Sequence, residues 1–157
     1  MPAELAGKVV EINISPEHEA LPQRVPRVRA VPGRGLEGDR NFFEGPGLQP
    51  DRDRELTLIA IEALEGLAEE HGIPLTAAES RRNVATRGID INQLVGRRFR
   101  VGDAECEGIE LCEPCRHLEL LTMPGVLRGL VHRGGLRAAI LSEGEIAVGD
   151  VVEPLSR

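Results

Sequence analysis

Glycine and proline recur so often in this chain that a long continuous helix is disfavoured over most of its length. The 157 residues include 18 glycines and 11 prolines; proline blocks helix hydrogen bonds, and glycine favours turns. Between them lie short runs of alternating or β-branched apolar residues, the pattern typical of β-strands. The sequence therefore predicts a mainly β fold: a β-barrel-like domain of many short strands with a few short helices.

The predicted elements follow one another along the chain. Apolar residues recur at helical spacing over 61–71, which predicts a helix that ends before Gly72. Further short helices are expected after Pro114 and Pro124, because proline is favoured in a first helical turn. Strands are expected over 7–14, 27–31, 56–59, 83–86, 98–101 and 104–111.

Two features of the predicted tertiary structure depend on less regular segments. The runs 136–141 and 145–148 are separated by a short glycine-containing link, which predicts a β-hairpin. The stretch 33–53 contains five glycines and two prolines, and its turn-rich backbone is expected at the surface. Phe42 and Phe43 are the expected anchors of this stretch in the core.

Length and charge limit the classes of protein to consider. A chain of 157 residues fits a single domain, here 1–157, with a sizeable core. Its net charge of -7 opposes non-specific binding to a phosphate backbone, so no nucleic-acid partner is expected. No apolar run approaches the roughly 20 residues that cross a bilayer, so no membrane partner is expected. Three cysteines and the absence of a recognisable secretory leader predict a cytoplasmic protein.

Cys112 and Cys115 bring two thiols close together in the chain, and thiolates are strong nucleophiles and soft-metal ligands. Cys115 follows a proline and precedes Arg116 and His117; a helix start and a neighbouring cation would both lower a thiol pKa. Cys115 is therefore the residue expected to carry the chemistry. Cys106 falls within a predicted strand and is expected to be an inert core thiol.

Other interpretations of the cysteine pair remain open at the level of sequence. The spacing suits half of a zinc site, completed by Cys106, His117 or His132. A thioredoxin-like redox pair has the same spacing, although the βαβ pattern of that fold is absent. The two residues are also compatible with ordinary cysteines at a strand end.

Several segments, in this order, resemble the MOSC domain, named for the C-terminal part of molybdenum cofactor sulfurases. The resemblance covers about 5–154, and seven segments in order make it specific although each alone is weak. The residues that carry it are 35–40, 55–59, 81–84 followed by 88–91, 96 with 101–103, 113–118, 133–141 and 144–152.

The resemblance implies a β-barrel that binds or delivers the molybdenum cofactor, a pterin dithiolene carrying molybdenum. A cysteine at the position of Cys115 is the expected sulfur carrier or metal ligand, and a thiolate suits a soft metal centre. The resemblance also places further residues at a cofactor site, with Arg82 and Asn83 as the principal anion contacts. The full set of expected cofactor-binding residues is Asp39, Arg40, Arg82, Asn83, Arg133 and Gly134.

The resemblance leaves two functional classes, an oxidoreductase component that reduces N-hydroxylated compounds and a carrier of cofactor or sulfur. No desulfurase, ferredoxin or flavin domain is recognisable, so a cysteine desulfurase or an electron-transfer protein is an expected partner, with a small-molecule substrate. Pyridoxal phosphate is not expected, because it belongs to the desulfurase domain. Lys8 is moreover the only lysine that could form its Schiff base.

Overall fold

The computed structural model describes residues 6–17, 21–47, 52–113, 118, 122 and 124–155. Within them the protein is mainly β, as predicted. The strands are β1 (Gly7–Ile14), β2 (Gln23–Val25), β3 (Arg27–Val31), β4 (Gly35–Leu36), β5 (Leu56–Ala60), β6 (Val84–Arg87), β7 (Arg98–Val101), β8 (Ala104–Leu111), β9 (Leu136–Ile140), β10 (Gly144–Ala147) and β11 (Val151–Pro154). The helices are α1 (Ile61–His71), α2 (Ala77–Ser80) and α3 (Val126–Gly129), and single 3-10 turns cover Arg52–Arg54 and Ile91–Leu94.

Seven strands of the described chain close into a barrel, in the order β11-β7-β8-β9-β5-β6-β1. The ring is completed by pairing of Gly7 with Val152 and Lys8 with Val151. Strands β5 and β6 run parallel, whereas the other neighbours in the ring are antiparallel. Closure pairs both edges of every strand in the ring over part of its length, which confirms the predicted barrel.

A second sheet, in the order β10-β3-β4, lies beside the barrel, and it overturns the predicted hairpin of 136–141 with 145–148. Strand β9 pairs with β5 and β8, whereas β10 pairs with β3. The link does not turn back because Leu141 and Ser142 both donate their backbone N–H groups to the Glu105 carbonyl. These bonds keep the chain on β8 until it crosses to the second sheet.

Side chains alternate in direction along the strands and so form two separate apolar clusters, one on each face of the sheet. Leu58 and Val84 face the barrel interior, while their neighbours Ile59 and Ala85 face outward into a cluster beneath α1. Leu118 belongs to this outer cluster and is 3 % exposed. The chain after the cysteine pair therefore returns to the outer cluster at Leu118.

The burial of the phenylalanines differs from the prediction. Phe42 and Phe43 are only half-buried, so the prediction that they anchor 33–53 in the core is wrong. The guanidinium carbon of Arg34 instead lies 6.0 Å from the centre of the Phe43 ring. Phe99, in β7, is the phenylalanine that is fully buried in the barrel. Its neighbours alternate with it in burial, as expected of a strand with one solvated face.

The helices lie where the local pattern predicts them. α1 ends at Gly72, whose φ of 68° is the left-handed conformation that glycine adopts readily. α3 follows Pro124, as predicted, whereas the segment after Pro114 lies outside the described residues. None of the helices in the described part of the chain has the length and apolar character needed to cross a membrane.

Candidate functional site

Cys115, the residue expected to carry the chemistry, lies outside the described residues together with the rest of 114–117. Its flanks are described: Cys112 and Glu113 follow β8, and Leu118 is buried in the outer cluster. Because an extended chain advances at most about 3.6 Å per residue, the Cα of Cys115 is within about 11 Å of that of Cys112. The surroundings of Cys112 and Glu113 therefore define the candidate site.

Arg82 joins the two chain segments that flank the candidate site. Its Nε donates to the carbonyl oxygen of Gly134 at 2.7 Å. Its Nη2 lies 3.1 Å from the carbonyl oxygen of Cys112 and 3.5 Å from that of Glu113. One guanidinium therefore holds the end of β8 against the start of β9. We call these residues, together with the neighbouring Asn83 and its partner Asp39, the polar rim: Asp39, Arg82, Asn83, Cys112, Glu113 and Gly134.

Asn83 uses both halves of its amide to connect other segments. Its Oδ1 accepts from the backbone N–H and the hydroxyl of Thr57, each at 3.0 Å. Its Nδ2 donates to the carbonyl of Asn13 at 3.2 Å and to Oδ1 of Asp39 at 3.5 Å. The side chain is 8 % exposed. These four bonds match the donors and acceptors of an amide, so Asn83 joins β1, β5 and the glycine-rich loop, by which we mean residues 33–47 of the stretch 33–53.

Asp39 and Arg40 lie side by side in the glycine-rich loop but differ in their contacts. Asp39 is 8 % exposed and accepts from the backbone N–H groups of Ser15 at 2.9 Å and Asn41 at 3.3 Å. The backbone N–H of Arg40 donates to the carbonyl of Ser15 at 2.6 Å. Within the described part of the chain, the half-buried guanidinium of Arg40 has neither a hydrogen bond nor an ion pair. Of the arginines predicted to bind the cofactor, Arg40 is therefore the one whose guanidinium has no partner among the described residues.

Gly134 and Arg133 are neighbours that face different parts of the molecule. Gly134 belongs to the polar rim through its carbonyl oxygen. The side chain of Arg133 instead pairs with Glu70 on α1, at 2.9 Å, and donates to the Gly129 carbonyl at 2.9 Å. The Arg133 side chain thus ties α3 to α1 and makes none of the described contacts at the rim.

Glu113 forms a contact that residue-type patterns did not single out. Its carboxylate accepts from the backbone N–H of His132 at 2.7 Å and lies 3.0 Å from His132 Nδ1. His132 has φ of 64°, an unusual conformation for a residue other than glycine. Asn92 holds it there, donating to its carbonyl at 2.8 Å. The sequence signal was the position of Glu113, immediately before the Pro114-Cys115 step.

The described cysteines are both buried. Cys106 is fully buried in the barrel, and burial raises its pKa to about 12, with smaller contributions from Glu55 and Glu105. Cys112 is 2 % exposed, and its backbone N–H donates to the Gly135 carbonyl at 2.7 Å. The two are six positions apart along extended chain, about 20 Å, so Cys106 cannot complete a zinc site with Cys112.

The MOSC domain family model matches residues 32–153 of this chain. The chain belongs to the MOSC family. The match includes the whole polar rim and the segment that carries Cys115. A search of curated proteins finds no match.

Solved structures of low sequence identity share the fold of this chain. The YuaD protein of Bacillus subtilis is 18 % identical, with a TM-score of 0.82 over 98 % of this chain and 97 % of its own. YiiM of Geobacillus stearothermophilus is 18 % identical, with a TM-score of 0.73 over 96 % of this chain and 76 % of its own. YiiM of Escherichia coli is 20 % identical, with a TM-score of 0.67 over 96 % and 70 %. At these identities the likeness concerns the fold.

Proposed function

We propose that this MOSC protein binds the molybdenum cofactor, or sulfur destined for it, through Cys115. The observation that supports the proposal is that the described residues on both sides of the Cys115 segment are held in place. In a chain of this family, its two flanks are fixed at the polar rim and in the outer cluster. A reactive thiol benefits from such a setting, because orientation of a ligand or nucleophile is part of its reactivity.

The chemistry of the described residues fits an anionic, sulfur-rich group. Cys115 would supply the soft thiolate ligand for molybdenum. Arg40 would supply the cation for a phosphate, because its guanidinium is not engaged by the described residues and presents a fork of donors. When bound, the cofactor would supply a redox-active metal centre.

Anion contacts at Arg82 and Asn83 stay a prediction. The described hydrogen bonds favour different roles for these two residues. Arg82 donates to protein carbonyls, and Asn83 has all four of its amide bonds within the protein. In our proposal these two residues shape the rim, and Arg40 contacts the anion. Gly134 contributes its carbonyl oxygen to the same rim.

Two modes of action follow from a cofactor held through Cys115. As a carrier, the protein receives sulfur or cofactor from a partner such as a cysteine desulfurase. As an oxidoreductase component, it reduces a small N-hydroxylated substrate with electrons from a partner protein. Turnover of such a substrate with an artificial electron donor would identify the second mode, and its absence from molybdenum-loaded protein would favour the carrier.

The test is metal analysis of protein purified from a host with intact cofactor synthesis. We expect molybdenum together with pterin, and its loss in Cys115→Ser. Cys106→Ala is the matched control, because it removes a thiol that is sealed inside the barrel and should leave the metal in place. Wild-type protein without molybdenum or pterin would contradict the proposal.

A structural zinc site is the alternative that this experiment also addresses. Among the described residues, no group of three or more histidine, cysteine, aspartate or glutamate side chains is arranged to hold a metal ion. Stoichiometric zinc released by Cys112→Ser, with no molybdenum, would replace the proposed function by a zinc-stabilised domain.

A further inference from the structure

We infer that Arg82 is a positioning residue: its guanidinium holds the end of β8 against the start of β9 and thereby sets the reactivity of Cys115. This inference deepens the proposed function and rests on it for the role of the thiol. The contacts themselves depend only on described residues.

The first support is the identity of the Arg82 acceptors. Carbonyl oxygens of Gly134 and Cys112 lie 2.7 and 3.1 Å from its Nε and Nη2, and that of Glu113 lies at 3.5 Å. The three carbonyls belong to segments separated by about twenty residues of chain. A charged planar fork can bridge them because its N–H groups diverge at fixed angles, which an ammonium group cannot reproduce.

The second support is that other bonds connect the same two segments. Cys112 donates its backbone N–H to the Gly135 carbonyl, and Glu113 accepts from the backbone N–H of His132. Both bonds lie next to the carbonyl groups that accept hydrogen bonds from Arg82. The combination forms a clamp, which we define as Arg82, Cys112, Glu113, His132 and Gly135.

The third support is the backbone conformation of two clamp residues, one of them unusual for its residue type and the other open only to glycine. His132 is held at φ of 64° although it carries a side chain. Gly135 has φ of 122°, and a Cβ there would overlap the Leu58 carbonyl. Strained conformations persist only where surrounding contacts fix them, and they are concentrated at functional sites.

The clamp acts on Cys115 through chain geometry. Glu113 is two residues before Cys115, and Leu118, three residues after it, is buried in the outer cluster. Fixing Glu113 fixes the point from which the chain continues to Cys115. Loss of the clamp should therefore make Cys115 behave more like a cysteine in an unstructured peptide.

The experiment uses cofactor-free full-length protein, so it is independent of whether molybdenum binds. Amide hydrogen exchange should become at least about tenfold faster at Cys112 and His132 in Arg82→Ala, because local opening is easier without the guanidinium. Amides of β7 should keep their wild-type rates. Arg87→Ala is the matched control, because Arg87 pairs with Glu65 on the surface and touches none of the clamp.

The second measurement is the alkylation rate of Cys115 with iodoacetamide, compared with a peptide of residues 111–118. In Arg82→Ala, the ratio of the Cys115 rate in the protein to that in the peptide should move at least about threefold toward one. Arg82→Lys should restore part of the difference between protein and peptide. A protein in which Arg82 has only a general structural role would not show this change while it stays folded.

Three results would overturn the inference. In folded Arg82→Ala, local exchange and Cys115 alkylation could both match wild type. Exchange could instead accelerate equally throughout the barrel, which would assign Arg82 a global structural role. If Arg82→Ala does not fold, Arg82→Lys takes its place, and full wild-type behaviour of that variant would contradict the requirement for a fork. Absence of molybdenum would refute the proposed function and leave these measurements valid.

Discussion

Two regions of this barrel bury polar groups next to a cysteine, and they use them in different ways. In the interior, Glu55 accepts from the backbone N–H groups of Gly33 at 3.0 Å and Ile140 at 3.1 Å. Ile140 pairs across the sheet with Cys106. Burial raises the pKa of both ionisable side chains. The carboxyl and the thiol of this region are both buried, which disfavours their charged forms.

At the polar rim, by contrast, a charged side chain donates to backbone carbonyls on two segments of the chain. Arg82 is half-buried and reaches segments that continue to Cys115 and to β9. The comparison teaches that a buried cysteine is not by itself a sign of function. What distinguishes the rim is that its hydrogen bonds hold Cys112 and Glu113, the described residues from which the chain continues to Cys115.

The largest expected difference between the two regions is in thiol reactivity. With a pKa of about 12, Cys106 has roughly 3,000-fold less thiolate at neutral pH than a cysteine of ordinary pKa. Cys115 should therefore alkylate more than about 1,000-fold faster than Cys106 in native, cofactor-free protein. Peptide mass spectrometry of timed iodoacetamide reactions would measure both rates. Equal, slow labelling of the two would show that Cys115 is also buried.

A second difference concerns glycine at the rim. Gly135→Ala should cost about 4 kcal/mol of unfolding free energy, because a Cβ would be strained at φ of 122° and would overlap the Leu58 carbonyl. Gly149→Ala is the matched control: its φ is 97°, but nothing lies within 4 Å of its Cβ position. We expect about 1–2 kcal/mol there from backbone strain alone. Equal losses in urea denaturation would mean that the rim relaxes around the added methyl group.

The interior carboxyl gives the third prediction. Glu55→Ala leaves the N–H groups of Gly33 and Ile140 without their acceptor and should cost about 2–4 kcal/mol. Glu55→Gln keeps an acceptor oxygen and removes the buried charge, so it should be much less damaging. Chemical denaturation at neutral pH would measure both. A Glu55→Ala protein as stable as wild type would show that water or another group replaces the carboxyl.

The pH dependence of Glu55→Gln tests the raised pKa directly. Burial raises the pKa of Glu55, so the folded state favours the protonated carboxyl. Its contribution to stability is therefore full below the unfolded pKa, near 4.3, and is lost as pH rises through the folded value. The stability of Glu55→Gln relative to wild type should grow between about pH 4 and pH 8. A difference that stays constant across this range would rule out the raised pKa.

Sequence patterns predicted the parts of the fold that depend on local interactions. The period of two located most strands, and the Gly72 conformation ends α1 where expected. The burial of Cys106 also followed from its position within a strand. Such features need only the residues within a few positions, because side chains alternate along a strand and glycine relieves local strain.

The rest depends on partners that are distant in sequence. β10 pairs with β3 instead of β9, and the short β11 closes the barrel against β1. In the site, 52 residues separate Arg82 from Gly134. Residue type alone could not tell whether such an arginine faces an anion or a carbonyl, because the same donors suit both.

The smallest expected effect distinguishes two arginines that the sequence placed in one cofactor site. Arg133 pairs with Glu70 and Gly129, whereas Arg82 contacts the Cys112 end of β8. Arg133→Ala should lower the melting temperature by at most about 3 °C, because partly exposed ion pairs contribute little. The alkylation rate of Cys115 should stay within about twofold of wild type, since the clamp is intact. Loss of molybdenum from folded Arg133→Ala would show instead that Arg133 leaves Glu70 to contact the cofactor, and the sequence-based prediction would be right.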